Sequence, residues 1–348
     1  MGSGGEQKPE VEQKRARTTA GFTPRIYPRP QPYKNSDVYR RAALRYLGGA
    51  AKCVLATKLF WPAYASAASF WTDTNGWSER TFFIACISLV HSLLYWTVNG
   101  AFLLCDRRRY FERYKMDRTE AMGPSEALLA QTWRQALIGQ LLVTPCVLWL
   151  LYDFYTRMGL PAVTSTPPGA AALFGWYMGC MLFNDWGFYW SHRLAHAKPF
   201  YATIHKQHHQ YKGTIGFAAE FAGPIEQAFS NQIPTVGYCV LGGAHLAVTC
   251  VWLAGRLCQT YEGHSGYCFA GTALYRWGVL GDAAPYHDFH HTVNSGNFGA
   301  EYLDHTFGTM DAWLRLGGVE GYLAKKKAGS FGNVLNDAHP SRKKDRAL

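Results

Sequence analysis

Residues 81–105 read TFFIACISLVHSLLYWTVNGAFLLC, twenty-five positions without a charged side chain. About 20 apolar residues carry a helix across the roughly 30 Å hydrocarbon core of a bilayer, so this run predicts a membrane-crossing helix. Its neighbours extend the pattern. Residues 135–152 give 18 uncharged positions, residues 158–184 give 27 with a bend at Pro167-Pro168, and residues 227–255 give 29. The weaker stretch 46–71 holds Lys52 and Lys58, whose ammonium groups can snorkel from a helix end to the interface. The expected fold is an all-α integral membrane protein. About four transmembrane helices form two hairpins, 46–105 and 135–190, joined by interfacial or re-entrant helices within 225–258 and a cytosolic, helical, His-rich metal domain.

The whole-chain numbers agree once read by segment. Of 348 residues, 48% are hydrophobic, 15% aromatic and 17% charged, against about 25% charged in soluble domains. That composition excludes a disordered chain, a coiled coil or a collagen-like repeat. The mean hydropathy of −0.16 is diluted by polar ends. The net charge is +11, and ten Lys or Arg lie between Lys8 and Arg45 with seven more after Tyr322. No helix-turn-helix, zinc-finger or RNP pattern accompanies them, so the expected partner is anionic lipid and not nucleic acid. Residues 1–45 read as a disordered basic arm and 318–348 as a basic cytosolic tail. Nine cysteines are scattered singly between Cys53 and Cys268, which suits a reducing compartment better than a disulfide framework. Lys and Arg bias places the arm, the loop after Cys105 (Arg107, Arg108, Arg109, Arg113, Lys115, Arg118) and the tail on the cytosolic side. Both termini are then cytosolic, and the short loops 72–80 and 153–168 face the other way.

Thirteen histidines are present, and nine of them fall in four places. His192 and His196 form HRLAH; His205, His208 and His209 form HKQHH; His264 begins HSGY; His287, His290 and His291 form HDFHH. On a helix His192 and His196 share a face. In HxxHH the first and second His are expected to share a face and the third to turn away, so that adjacent His serve different metals. Nine imidazoles exceed the four ligands of a tetrahedral zinc site and suit two ions with exchangeable positions; imidazole accommodates iron. The expected centre is di-iron, with all nine histidines as metal-binding and catalytic residues. Asp185, Glu220, Glu262, Asp288 and Asp304 are candidates to hold the second ring nitrogen of a ligand, an ordinary ion pair being the plain reading of each. His91, His245 and His339 read as single satisfied interfacial residues, and His305 as structural. A non-catalytic membrane metal-binding protein would also be rich in histidine, but it predicts His along a transmembrane path, whereas these clusters lie beside the uncharged spans.

The order HxxxH, HxxHH, HSGY, HxxHH, followed by Asn297-Phe298-Gly299 and Gly308-Thr309, resembles the membrane fatty acid hydroxylase superfamily over 173–317. Ala218-Ala219-Glu220-Phe221 and Pro224-Ile225-Glu226 are similar to the Ala-Glu-Tyr-Ala-His-Pro-x-Glu stretch of C-4 methylsterol oxidases, and Tyr261 to Tyr267 to their Asp-x-His-Ser-Gly-Tyr box. Gly223 stands where that stretch has His, Glu262 where the box has Asp, and Thr260 where fatty acyl hydroxylases carry an additional His. The resemblance implies a multi-pass endoplasmic reticulum monooxygenase of the methylsterol type. It would use two Fe ions, dioxygen and electrons from NAD(P)H delivered by cytochrome b5 and its reductase. The lipid substrate it points to is a 4-methyl or 4,4-dimethyl sterol. Another sterol hydroxylase or desaturase, or a sphingoid-base hydroxylase, shares the same histidine boxes.

Overall fold

A computed structural model describes residues 35–116, 124–270, 272–273, 281 and 283–327. The described residues are helical without a strand; a single antiparallel bridge joins Lys115 to Tyr267. Most of the expected basic arm, most of the basic tail, Arg118 and His339 lie outside them. The first helix begins at Asn35, within the stretch expected as arm.

Helix α1 spans Asn35–Ser69, α2 spans Glu79–Arg108, and α3 spans Glu126–Arg157. Their starts are written locally. Ser78 and Ser125 sit in extended conformation and accept from the Thr81 and Leu128 amides, each at 3.1 Å, satisfying donors a first turn leaves open. Helix α3 widens into a π turn at Gly139–Val143 just before Pro145, and Gln227–Gln232 does the same before Pro234. Proline has no N–H to give and its ring crowds the carbonyl four residues back, which a wider turn relieves. Helices α4 (Ala170–Ala195), α5 (Ile233–Leu241), α6 (Leu246–His264) and α7 (Ala283–Val293) follow. Three short helices, α8 (Glu301–Thr306), α9 (Asp311–Arg315) and α10 (Gly318–Lys327), complete the order.

Of the four expected crossings, α2 and α3 are long and apolar enough by length and composition, with mean hydropathy of 1.7 and 1.6 over their best windows. Both leave large apolar side chains outside the core, among them Leu89, Leu93, Leu104, Leu141, Leu142 and Leu150. Helix α6 is the hub. It packs on α1, α2, α5 and α7 and on the short turn Gly216–Glu220. One core, formed by Tyr64, Phe83, Tyr155, Leu246 and Cys250, ties α1, α2 and α3 to it. A second, with Ala50, Tyr177, Cys239, Val248 and Trp252, holds α1, α4 and α5. Helices α4 and α5 approach closely because Gly179 presents no side chain: a Cβ there would lie 2.3 Å from Tyr238 Cζ. A third core of Tyr286, Phe289, Trp313 and Tyr322 backs α7, fixing the last histidine box against the rest.

Candidate metal centre

Four local structures deliver the nine histidines. The last turns of α4 carry His192 and His196. A π turn, Tyr201–His205, then folds the chain back, and a 3-10 turn, His208–Gln210, follows. His264 ends α6, and His287, His290 and His291 lie on α7. These segments bring the rings into two groups. His192, His196, His205, His209 and His290 form the first; His208, His264, His287 and His291 form the second; within each, the ligating atoms lie within 4.8 Å of one another. Facing Nε2 atoms are 3.0 Å apart for His192–His205 and His205–His209, and 3.2 Å for His196–His290. In the second group they are 2.9 Å apart for His264–His287 and 3.0 Å for His287–His291.

Neighbours in sequence do split between the groups, as His208 and His209 do, and likewise His290 and His291. The partner within each box differs from the expectation. His205 groups with His209 and His287 with His291, the i, i+4 pairs and not the i, i+3 pairs. Four residues advance an α-helix about 40° past a full turn, whereas three fall about 60° short, so the i+4 rings are better aligned on α7. HKQHH reaches the same result through irregular backbone.

The outward ring nitrogens settle the protonation. His192 Nδ1 donates to Phe298 O at 2.6 Å, His264 Nδ1 to Thr260 O at 2.9 Å, His290 Nδ1 to Gly296 O at 2.7 Å, and His291 Nδ1 to Tyr211 O at 2.9 Å. His205 Nδ1 meets Glu226 Oε1 at 2.7 Å. Burial pushes the Glu226 carboxyl up to about 9, so its contact orients His205 without fixing which ring nitrogen carries the proton. Carbonyl oxygens only accept, so in His192, His264, His290 and His291 the proton sits on Nδ1 and Nε2 keeps its lone pair. His192 turns that lone pair toward His205 Nε2, and the all-nitrogen donor set suits a first-row transition metal. Burial pushes His264 down to about 4, and burial together with neighbouring imidazoles holds His208, His209, His287, His290 and His291 well below the usual histidine range. All are neutral, as ligands must be.

The acids expected beside the ligands are placed differently. Asp185 pairs with Arg45 and accepts from Tyr46 Oη at 2.7 Å. Glu220 accepts from His91 Nε2 at 2.9 Å and from Tyr261 Oη at 2.5 Å, so His91 is one half of a part-buried pair. Asp288 accepts from Tyr322 Oη at 2.7 Å and from the Thr214 amide at 3.3 Å. Glu262 is buried against Gly281. Asp304 accepts from the Phe298 and Gly299 amides at 2.8 and 2.9 Å and from Thr309; it acts one step out, holding the loop whose carbonyl orients His192. The carboxylate that touches a ligand is Glu226, in the Pro-Ile-Glu segment. Its role rests on a tertiary contact with His205, which spacing along the chain does not reveal. His245 caps α6, accepting from the Ala247 amide at 3.1 Å. His305 lies by Tyr39 on α1 and belongs to neither group.

A cavity of about 700 Å³ opens on this centre. His192, His205, His208, His264 and His287 line one part of it, and Val147, Leu151, Phe154, Val236 and Val240 line another. Its size and largely apolar wall suit a drug- to lipid-sized molecule, and Arg45, Asp185, Glu220, Glu226 and Arg256 also face into it.

Comparison with known proteins agrees with the geometry. The fatty acid hydroxylase family model matches residues 177–309, which contain both histidine groups. Methylsterol monooxygenase 2-2 of Arabidopsis thaliana is 28% identical over 246 residues, covering 68% of this chain and 89% of that protein. C-4 methylsterol oxidase of Candida albicans is 29% identical over 218 residues, 62% of this chain and 70% of that protein. Fatty acid hydroxylase domain-containing protein 2 of Macaca fascicularis is 30% identical over 248 residues, 68% of this chain and 69% of that protein. No solved structure matches. With the family model spanning every one of the nine converging histidines, this chain belongs to the fatty acid hydroxylase family.

Proposed function

We propose that this chain is a di-iron membrane oxygenase acting on the C-4 methyl group of a 4-methyl or 4,4-dimethyl sterol. Electrons come from NAD(P)H through cytochrome b5 and its reductase. The observation that carries the reading is the convergence of two groups of inward-facing imidazoles on one cavity with apolar walls. His192, His196, His205, His209 and His290 would hold one iron; His208, His264, His287 and His291 would hold the other. Nine imidazoles exceed the four ligands of a closed structural zinc site and suit two ions that would keep positions for exchangeable ligands. Bound there, iron supplies dioxygen reduction and oxidation of an unactivated C–H bond.

The rest of the work belongs to the protein. Phe298 O, Gly296 O, Tyr211 O and Thr260 O fix ring orientation and tautomer, Glu226 orients His205, and hydrogen bonds donated by a ligand ring raise its basicity. Phe188 lies 5.1 Å, ring to ring, from His192 and with the cavity's apolar walls keeps water from the substrate. The C-4 substrate is drawn from the names of the Arabidopsis and Candida relatives. The same reading has α1, α2, α3 and α4 crossing the endoplasmic reticulum membrane with both termini in the cytosol. Asp185 and Glu220 then line the walls of the site, Glu262 and Asp288 brace the packing behind it, and the basic residues Arg107–Arg109 at the end of α2 face cytosolic partners.

Expression in yeast lacking its own C-4 methylsterol oxidase tests this, with His290→Ala as control. The expected result is that accumulated 4,4-dimethylsterols disappear with the native chain and persist with the mutant. Persistence with both, while the protein is present and iron-loaded, would remove the sterol C-4 assignment and direct attention to other sterols and sphingoid bases. A purified chain without iron would remove the oxygenase reading.

A further inference from the structure

Two acids at the cavity each face a basic partner: Asp185 takes Arg45 and Glu220 takes His91, while Glu226 meets the neutral imidazole of His205. Arg256, on α6, also lines the cavity, and among the described residues no carboxylate makes a direct ion pair with it. Its guanidinium is instead held by neutral oxygens: Nε donates to Asn184 Oδ1 at 3.1 Å, and one terminal nitrogen donates to Thr260 Oγ1. A guanidinium carries five donors in a rigid fork, so these bonds fix it while leaving donors available.

Its position relative to the histidines is defined from both sides. Thr260, which receives Arg256, offers its carbonyl to His264 Nδ1. Phe188 has Arg256 Cζ 5.9 Å from its ring centroid and His192 5.1 Å away, ring to ring. The cation thus stands one residue away from a member of each histidine group. Asn184 precedes His192 by the same two helical turns by which Arg256 precedes His264, so each polar anchor lies along the helix that carries a ligand. The carboxylate within electrostatic reach of Arg256 is that of Asp185, which is engaged by Arg45 and Tyr46, and the free part of the planar fork matches an occupant's carboxylate in two-point fashion.

We propose that Arg256, held by Asn184 and Thr260, is a subsite for the carboxylate of a lipid seated in the cavity, beside the carbon presented to the histidines. This rests on the reading that the cavity holds the lipid on which the centre acts. The carboxylate could be carried by a sterol ring or end an acyl chain; the chemistry at Arg256 is the same, and the test separates the two.

Full-length, iron-loaded protein in detergent is titrated with a 4-carboxysterol, its methyl ester and palmitate, following tryptophan fluorescence. In the wild type the acid binds at least tenfold more tightly than the ester. Arg256→Gln weakens binding of the acid by about 30-fold or more, as expected on removing one partner of a buried charge pair, and leaves the ester within about threefold. Arg256→Lys recovers part of the loss, because the charge remains and the fork does not. Equal affinity for acid and ester in the wild type overturns the proposal, as does an equal loss of both in the Gln variant. If the Gln variant loses iron or fails to fold, the wild-type acid-to-ester ratio decides alone. Palmitate binding that depends on Arg256, without such dependence for the carboxysterol, keeps the subsite and removes the sterol substrate.

Discussion

His192 and His205 face each other nitrogen to nitrogen, and the contact that orients the His205 ring lies on its far side. Glu226 holds His205 Nδ1 at 2.7 Å with both side chains buried. Outer-sphere partners of this kind typically change metal affinity by about 10–100-fold. Glu226→Ala is therefore expected to lower iron affinity by about that factor in a chelator competition, and Glu226→Gln, which can still accept, by less. Equal effects of the two would show that the contact is packing alone. Histidine titration gives a second outcome at this scale. The second-group histidines are held below their usual range in the folded chain, while an unfolded histidine titrates near about 6.5. Their contribution to stability is complete above that value and is lost as pH falls below it, because the unfolded chain then binds more protons; each histidine adds up to about 1.4 kcal/mol per pH unit. Melting temperature and bound iron should both decline steeply from pH 6.5 to 5, metal binding running in the same direction because ligands must be neutral. A flat profile would contradict the buried, neutral state of the rings. The nine histidines that converge were legible in the sequence because HxxxH and HxxHH concentrate one residue type; their partners were not, since Phe298 O, Tyr211 O and Glu226 reach the rings only through tertiary contacts.

Elements were legible to a similar depth. Uncharged runs marked α2, α3 and α4, and the pair expected within 225–258 is α5 with most of α6. What the runs did not carry was packing. The i, i+3 grouping expected within HxxHH gives way to i, i+4, and the earlier start of α1 at Asn35 depends on contacts made elsewhere: Tyr39 meets Thr306 at 3.0 Å and Arg41 meets Glu301 at 3.0 Å on α8. Polar, basic residues alone read as an arm; docked on α8 they form a helix. The α4–α5 contact is likewise invisible to hydropathy, and it yields a test. A leucine at Gly179 would have to displace Tyr238, whose ring occupies the space of the new Cβ. Overpacking of this kind costs about 1–3 kcal/mol. Gly179→Leu should lower the melting temperature, whereas Gly175→Leu on the same helix, where nothing lies near the new Cβ, should leave it nearly unchanged. Similar melting temperatures for both would show that α4 and α5 are free to separate.

For the whole molecule, the mean hydropathy of −0.16 and the two windows at 1.7 and 1.6 describe one chain in two parts. The cavity joins those parts: its apolar walls come from α3 and α5, and the histidines lie beyond the uncharged runs. A lipid reaching the centre from a bilayer would then need no transfer through water. The outward face of α3 tests this arrangement. Leu141 is 72% exposed and Leu150 76%, far from the histidines in sequence and absent from the cavity lining. Contiguous apolar exposure on this scale marks a membrane or partner surface. Arginine at the centre of a spanning helix costs about 2.5–3.5 kcal/mol on the insertion scale. Leu141, near the middle of the uncharged run 135–152, is the position where that cost applies. Leu141→Arg should therefore reduce the fraction of chain that resists alkaline extraction from microsomes, while Leu141→Phe should not. Molecules of the arginine variant that do insert should hold as much iron as the native chain, since no histidine contact changes. Undiminished insertion of Leu141→Arg would mean that this face of α3 meets protein or water and not lipid.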